Sequence, residues 1–391
     1  MSPMREPPIL RPRKINHLPY DIVLNIMERL PVKSVMRFRC VSKSMDSSIT
    51  THDFISAHLN NINKNHDHEN GYVIHMPSWE ASHPLSSSPH PDTPVCTVAF
   101  DRTFDRISEV RIPFDFDFKG AQIVGSCNGL LCLATLDNVI YLWNPSIRKF
   151  KRLPDTCLGK LKSVSVRLGF AYRSENDDYK VVRISTFTTL IHEVEVYTSS
   201  SDSWRRVGNS STDKFVFCYK NLLVPAPLVS GALHWMAFMV EGQAIGPRRS
   251  IMSFDVNTET FRKLALPNYT GSSYCISLFK GKLAFITHDK HGSQYSIWVM
   301  KNYAVVESWN KLFVVPFQRA AYCHAFTEYG SLLVSYSYLN DLVWSQGFKI
   351  VLIDAETLHE KKDPDIQCPS YVATFMESLV LLDDGAKAVS Y

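Results

Sequence analysis

Gly125-Ser126-Cys127-Asn128-Gly129 is the pattern with the sharpest chemical meaning in this chain of 391 residues. G-x-C-x-G is a cysteine form of the nucleophile elbow, a strained strand-to-helix turn that exposes its nucleophile. That chemistry needs a strand before the motif and a helix after it. The next residues, LLCLATLDNVIYLWNP, have a β pattern, so the sequence predicts a turn and a buried thiol rather than a catalytic Cys127. The carboxylates of Asp177/Asp178 and of Asp383/Asp384 are adjacent in sequence and are expected to point apart, a poor arrangement for paired acid–base work. His66 and His68 form an isolated H-x-H in the polar run NNINKNHDHEN, which reads as solvated loop rather than metal site. The nine cysteines (Cys40, Cys96, Cys127, Cys132, Cys157, Cys218, Cys275, Cys323 and Cys368) contain no C-x-x-C pair. Their spacing fits neither zinc nor a disulfide framework, so reduced and mostly buried thiols are expected. No catalytic residue, metal or cofactor is therefore assigned.

The elements that carry these residues repeat. Leu142–Pro154 reads LWNPSIRKFKRLP, Glu195–Val207 reads EVYTSSSDSWRRV, and Met252–Leu264 reads MSFDVNTETFRKL. Each places an aromatic residue seven positions before a second aromatic that adjoins basic residues: Trp143/Phe150, Tyr197/Trp204 and Phe254/Phe261. The Asn, Asp, Ser, Thr and Pro residues between them supply turn chemistry, so each unit is a hairpin. A looser copy closes on Trp309, and fainter ones lie at Phe100/Ile107 and Ile353/Glu360. Gly-bearing apolar strands, CNGLLCLA, VSGALHWMAF and FKGKLAFITH, precede the stronger hairpins, and YGSLLVSYSY comes later. Successive closing positions are 43, 54, 57, 48 and 51 residues apart. A period near fifty with four strands per unit predicts a kelch-like β-propeller, here of six blades. The strand YVATFMESLVLLDD is expected to complete a blade begun near Gly71–Trp79 and so close the ring.

Ahead of the β-region, Leu18–Leu59 is rich in short amphipathic helices. Apolar residues recur at Ile22, Val23, Ile26, Met27 and Leu30, the spacing of one buried stripe, and Pro31 ends that helix at Leu30. A second helix fits Val32–Cys40 and a third Val41–Ile49, with Asp53 as the expected cap of a fourth. Helices this short need mutual packing or a partner. From periodicity alone they could equally be a bundle that covers one end of the β-domain.

Composition fits this two-part chain, and no run of about eighteen apolar residues predicts a membrane span. The N-terminus lacks the apolar core of a secretory signal, so cytoplasmic or nuclear residence is expected, and the sequons at Asn209 and Asn268 read as chance matches. Residues 1–60 carry nine Lys+Arg and five Asp+Glu against chain totals of 42 and 38, which leaves a neutral remainder with 33 of each. So small a basic patch excludes nucleic acid as the expected partner and suits an acidic protein instead. The chain divides into a flexible tail (1–14), a helical module (15–60), a linker and loop with one strand (61–94) and the propeller (95–391).

The string L-P-x-x-I…L-P-V-K-S-V-x-R-F-R-C-V-S-K-S…F-I-S-x-H-L resembles the F-box, which plugs substrate receptors into cullin–RING ubiquitin ligases through a Skp-type adaptor. Met45 stands where that family usually has tryptophan. The resemblance implies adaptor contacts at Leu18, Pro19, Ile22, Leu30, Pro31, Val32, Ser34 and Val35. GSCNGLLCLA…LWNPSIRKFKRLP…LGFAYRSENDDYKVVRI…EVYTSSSDSWRRV is similar to the F-box-associated domain of many plant proteins, over about Gly125 to Leu266. That family includes S-locus proteins, which recognise secreted ribonucleases, and regulators that turn over immune or signalling proteins; IMSFD at Ile251–Asp255 is similar to the S-locus branch but does not choose between them. The fold class implied is mainly β with a small α module. The function implied is that of an SCF substrate receptor, a non-catalytic subunit that binds the adaptor, and through it cullin and RING protein, at one end and a protein substrate at the other. Two alternatives stand beside it, a propeller scaffold with a non-docking F-box and a propeller enzyme. Candidate substrate loops are Ser174–Asp178, Glu241–Arg249, His288–Gln294 and Tyr338–Trp344.

Overall fold

The computed structural model describes residues 18–388, except 66–71, 78–94, 101–104, 113–120, 136, 138, 159–164, 188–190, 209–213, 219–224, 242–243, 270, 272, 290–293, 317–320, 327–329, 341–344, 355–356, 363–369 and 382–386. His66, His68, Asp383 and Asp384 therefore lie outside the described residues.

Four helices come first: α1 (Tyr20–Met27), α2 (Val32–Phe38), α3 (Lys43–Ile49) and α4 (His52–Asn65). Pro19 and Pro31 sit at the N-caps of α1 and α2, where a missing N–H costs nothing. Ser42 caps α3 by accepting the Met45 N–H at 3.1 Å. The expected cap at Asp53 is displaced. Thr51 Oγ1 accepts the Phe54 N–H at 3.3 Å, so α4 starts earlier than the sequence suggests. The buried stripe of α1 also divides: Met27 is buried and Val23, Leu24 and Leu30 pack against the same core, whereas Ile22 and Ile26 face outward.

The strands among the described residues form six antiparallel sheets, which are the blades. In spatial order the first is Ser370–Phe375, Tyr72–Pro77, Val95–Phe100 and Arg106–Arg111. The second is Gln122–Cys127, Leu130–Ala134, Ile140–Asn144 and Lys149–Arg152, with Lys387–Ala388 added at its edge. The third is Ser165–Arg173, Asp178–Thr186, His192–Thr198 and Ser203–Val207. In the fourth, Phe215–Phe217 and Leu228–Val229 both pair with Ala232–Glu241, followed by Ala244–Asp255 and Thr260–Leu264. The fifth is Ser273–Phe279, Lys282–His288, Gln294–Met300 and Trp309–Pro316; the sixth is Ala321–Phe326, Leu332–Asn340, Ser345–Ile353 and Glu360–Lys362. Gln122–Cys127 touches both Ser165–Arg173 and Ser370–Phe375, and Ser273–Phe279 touches Ala321–Phe326, so the first strand of each blade lies nearest the axis. The ring closes as expected. Ser370–Phe375 runs antiparallel to Tyr72–Pro77, from Tyr72↔Phe375 to Pro77↔Ser370.

The seven-residue spacing has a geometric cause. Trp143↔Phe150, Tyr197↔Trp204, Phe254↔Phe261 and Ile353↔Glu360 are cross-strand pairs. One further residue on each side closes the hairpin, leaving four loop residues of which the last is left-handed: Arg148, Asp202, Glu259 or Leu358. Asn144 Oδ1, Asp255 Oδ1 and Asp354 Oδ1 accept backbone N–H groups of three of these loops, the local bond that favours Asn and Asp there. The faint pair Phe100/Ile107 is not in register. A bulge pairs Ala99 with Arg106 and skips Ile107.

Candidate functional site

Antiparallel order within each blade forces an alternation. Turns from the first strand to the second, and from the third to the fourth, fall at one end of the propeller. Turns from the second to the third, and links between blades, fall at the other. Three of the first-to-second turns are Gly-bearing sequences. Asn128-Gly129, Ser230-Gly231 and Lys280-Gly281 are two-residue turns with both φ values positive. Gly129 is also required by space, since a Cβ there would lie 2.5 Å from Ser378 Oγ and 2.7 Å from the Met376 carbonyl oxygen.

Cys127 therefore opens a hairpin, Cys127↔Leu130, and no helix follows it. Burial pushes its thiol up to about 12, which leaves it protonated and unreactive near neutral pH. Asp177 and Asp178 diverge as expected. Asp178 is buried and accepts from Ser200 N at 3.0 Å and Ser200 Oγ at 2.7 Å, while Asp177 faces the helices. Among the described residues no group of His, Cys, Asp and Glu is arranged to hold a metal ion.

The helical module packs on the end that carries the tight turns. Met27, Val32, Val35, Ile49, Phe54 and Ile55 share one continuous apolar core with residues of the second and third blades, among them Leu130, Ile147, Phe170 and Tyr179. Each such buried side chain contributes roughly 1.5–3 kcal/mol, so the joint is substantial. Met45, half-buried, packs against this core and fills the place the family gives to tryptophan. His58 is buried beside it, and its Nε2–H donates to the Leu30 carbonyl oxygen at 2.9 Å. Its Nδ1 has no partner, and burial lowers the His58 pKa, which keeps the ring neutral.

On the outer side of the helices an apolar surface remains uncovered. Leu18 is 60% exposed, Ile22 44% and Ile26 47%; Tyr20, Phe38 and Val41 are exposed as well. Of the residues implied as adaptor contacts, Leu18, Pro19, Ile22 and Pro31 are exposed, and Leu30 and Ser34 are half-buried. Val32 and Val35 are instead buried in the shared core, at 1% and 0% exposure. Their spacing on α2 points them inward, beneath the exposed surface. Tyr20, Ile26, Phe38 and Val41 are not among the contacts implied by the sequence. The signal available was Ile22 and Ile26 four positions apart, a second stripe beside that of Val23 and Met27.

Residues 96–381 match the F-box associated beta propeller domain family, and residues 15–56 match the F-box domain. The chain belongs to the F-box proteins with an F-box associated β-propeller. The F-box protein CPR1 of Arabidopsis thaliana is 28% identical over 408 residues, covering 93% of this chain and 89% of the relative. The Arabidopsis F-box/kelch-repeat protein At3g23880 is 29% identical over 318 residues, covering 77% and 80%. The Arabidopsis F-box protein At3g07870 is 27% identical over 325 residues, covering 76% and 72%. No helix among the described residues is long and apolar enough to cross a membrane.

The candidate substrate loops separate between the two ends. Ser174–Asp178 forms a first-to-second turn at the F-box end, where Asp177 is engaged by α4. Glu241–Arg249, His288–Gln294 and Tyr338–Trp344 contain second-to-third connections, so the strand ends that flank them fall at the opposite end. Residues 242–243, 290–293 and 341–344 of those stretches lie outside the described residues. A cavity of about 60 Å³ lies between the inner strands of the second and third blades and the interrupted inner strand of the fourth. Gln122, Arg167, His234 and Trp235 are among its lining residues.

Proposed function

We propose that this protein is the substrate-recognition subunit of an SCF-type cullin–RING ubiquitin ligase in the cytoplasm or nucleus. Its F-box binds a Skp-type adaptor through Leu18, Pro19, Ile22, Leu30, Pro31 and Ser34, joined by Tyr20 and Ile26. The propeller binds the protein to be ubiquitinated. One observation carries the reading: Leu18, Tyr20, Ile22 and Ile26 of α1 and its flank are exposed, with Phe38 and Val41, in a module whose Met27, Val32, Val35, Ile49, Phe54 and Ile55 are buried. Uncovered apolar surface of this kind marks a protein interface. The chain's task is then positioning rather than chemistry. Holding a substrate lysine near the ubiquitin thioester raises its effective concentration and removes the entropic cost of encounter.

Co-purification with a Skp-type adaptor tests this directly. The wild-type chain is expected to retain the adaptor, and Leu30→Ala/Pro31→Ala to lose it. Failure of the wild type to bind would leave a propeller scaffold with a non-docking F-box. Turnover of a small substrate by the purified chain would point to an enzyme.

A further inference from the structure

We infer that Asp177 is a positioning residue that clamps the F-box to the propeller, so that adaptor and substrate ends move as one body. The inference deepens the receptor reading and rests on it for its consequence in ubiquitin transfer. Asp177 ends the turn between Arg173 and Asp178 in the third blade and has a φ of 50°, a conformation that Asp tolerates better than most residues. Its Oδ1 accepts the Tyr172 hydroxyl at 2.7 Å. Its Oδ2 accepts from Ser56 Oγ at 3.0 Å and lies 2.9 Å from His52 Nε2. One carboxylate thus joins a propeller side chain to two side chains of α4.

The placement of the two helix donors matters. His52 and Ser56 are four residues apart, one turn along the same face of α4. Two anchors a turn apart fix the rotation of the helix about its axis as well as its distance. The contacts continue inward. The Tyr172 ring lies 5.0 Å from that of Tyr179, whose hydroxyl accepts from Asn128 Nδ2 at 3.2 Å. The clamp on the third blade is therefore tied to the first-to-second turn of the second. Beneath it, Phe54 and Ile55 of α4 share the apolar core with Phe170 and Tyr179. The F-box occupies the tight-turn end, and the opposite end, with the flanks of the second-to-third connections, is left to face the substrate.

The test uses the full chain. Hydrogen exchange at the amides of α4 is compared among wild type, Asp177→Ala and Ser56→Ala. The second variant leaves the propeller turn intact, so a misfolded turn cannot imitate the result. Both variants are expected to exchange faster in α4 by about tenfold, while adaptor capture persists. In a reconstituted ligase without substrate, the set of lysines modified on the chain itself should widen in both variants, which a purely stabilising contact would not cause. Unchanged α4 exchange in both variants would overturn the clamp, and faster exchange with an unaltered lysine set would overturn its positioning role. Absence of ubiquitin transfer by the wild type, with clamp-dependent exchange, would instead count against the receptor reading.

Discussion

The F-box exposes large apolar side chains within two dozen residues, while the blades bury their largest aromatics. Within residues 18–41, Leu18, Tyr20, Ile22, Ile26, Phe38 and Val41 are exposed, whereas Trp143, Tyr197, Phe215, Phe254 and Phe285 of the blades are almost fully buried. Both regions follow simple periodicities, helical in one and alternating in the other. The difference is that each blade has two neighbours to cover its faces, while a helical module on one end of a ring has one. Its inner stripe joins the propeller core through Met27, Val32 and Val35, and its outer stripe stays exposed. Residues that hold the chain together are thereby separated from those that the proposed function assigns to a partner.

The contrast between the two regions breaks most severely if the ring opens. Deleting residues 370–391 removes the inner strand of the first blade, including Tyr371, Val372 and Phe375, which are mostly buried against their neighbours. A loss on the order of 5 kcal/mol or more is expected, read as a lowered denaturation midpoint or failure to fold. An unchanged midpoint would show that the C-terminal strand does not close the propeller. Next in size, Phe285→Ala in the fifth blade should cost about 3–5 kcal/mol in chemical denaturation. Adaptor capture should survive, because that core does not include the F-box residues.

Acid should weaken the propeller through its buried histidines. His234 donates from Nδ1 to the Pro227 carbonyl oxygen at 3.1 Å and accepts the Tyr303 hydroxyl at Nε2 at 3.0 Å, which requires the neutral ring. Burial lowers its pKa to about 4, below the usual value of 6.5. The unfolded chain then binds more protons between those values, so stability is full above about pH 6.5 and falls as pH drops towards 4. At pH 5 the loss from His234 alone is roughly 2 kcal/mol relative to pH 7. Denaturant midpoints at the two pH values, with His234→Gln expected to flatten the dependence, check this. The smallest effect is expected at Met45. Because the site is only half-buried, Met45→Trp should cost about 1 kcal/mol, the low end for adding volume beside a packed core, and change adaptor affinity by no more than about twofold. A large gain in affinity would show that methionine leaves the docking surface misformed.

Much of this arrangement is legible in the sequence, for identifiable reasons. The hairpins can be found because an aromatic pair seven apart spans a four-residue loop, so Trp143/Phe150 reports register directly, and Ile353/Glu360 keeps the same spacing. Phe100/Ile107 fails because a bulge leaves Ile107 as an extra residue that no spacing rule reveals. The turn nature of Cys127 follows from the strand after it. The docking surface is only partly legible. Val32 and Val35 belong to the same motif as Leu30 and Pro31, and only the direction of α2 against the propeller shows that they are core. The clamp at Asp177 is not legible at all, because it lies 121 residues from Ser56.

On the proposed function, the outer stripe of α1 is an interface rather than an unfinished core. The decisive measurement is titration of a purified Skp-type adaptor into wild type, Ile22→Asp/Ile26→Asp and Phe285→Ala, with unfolding followed on the same samples. The α1 variant is expected to lose affinity by about a hundredfold or more with its unfolding midpoint nearly unchanged, while Phe285→Ala shows the reverse. Equal adaptor affinity in wild type and the α1 variant, or none in the wild type, would contradict the claim.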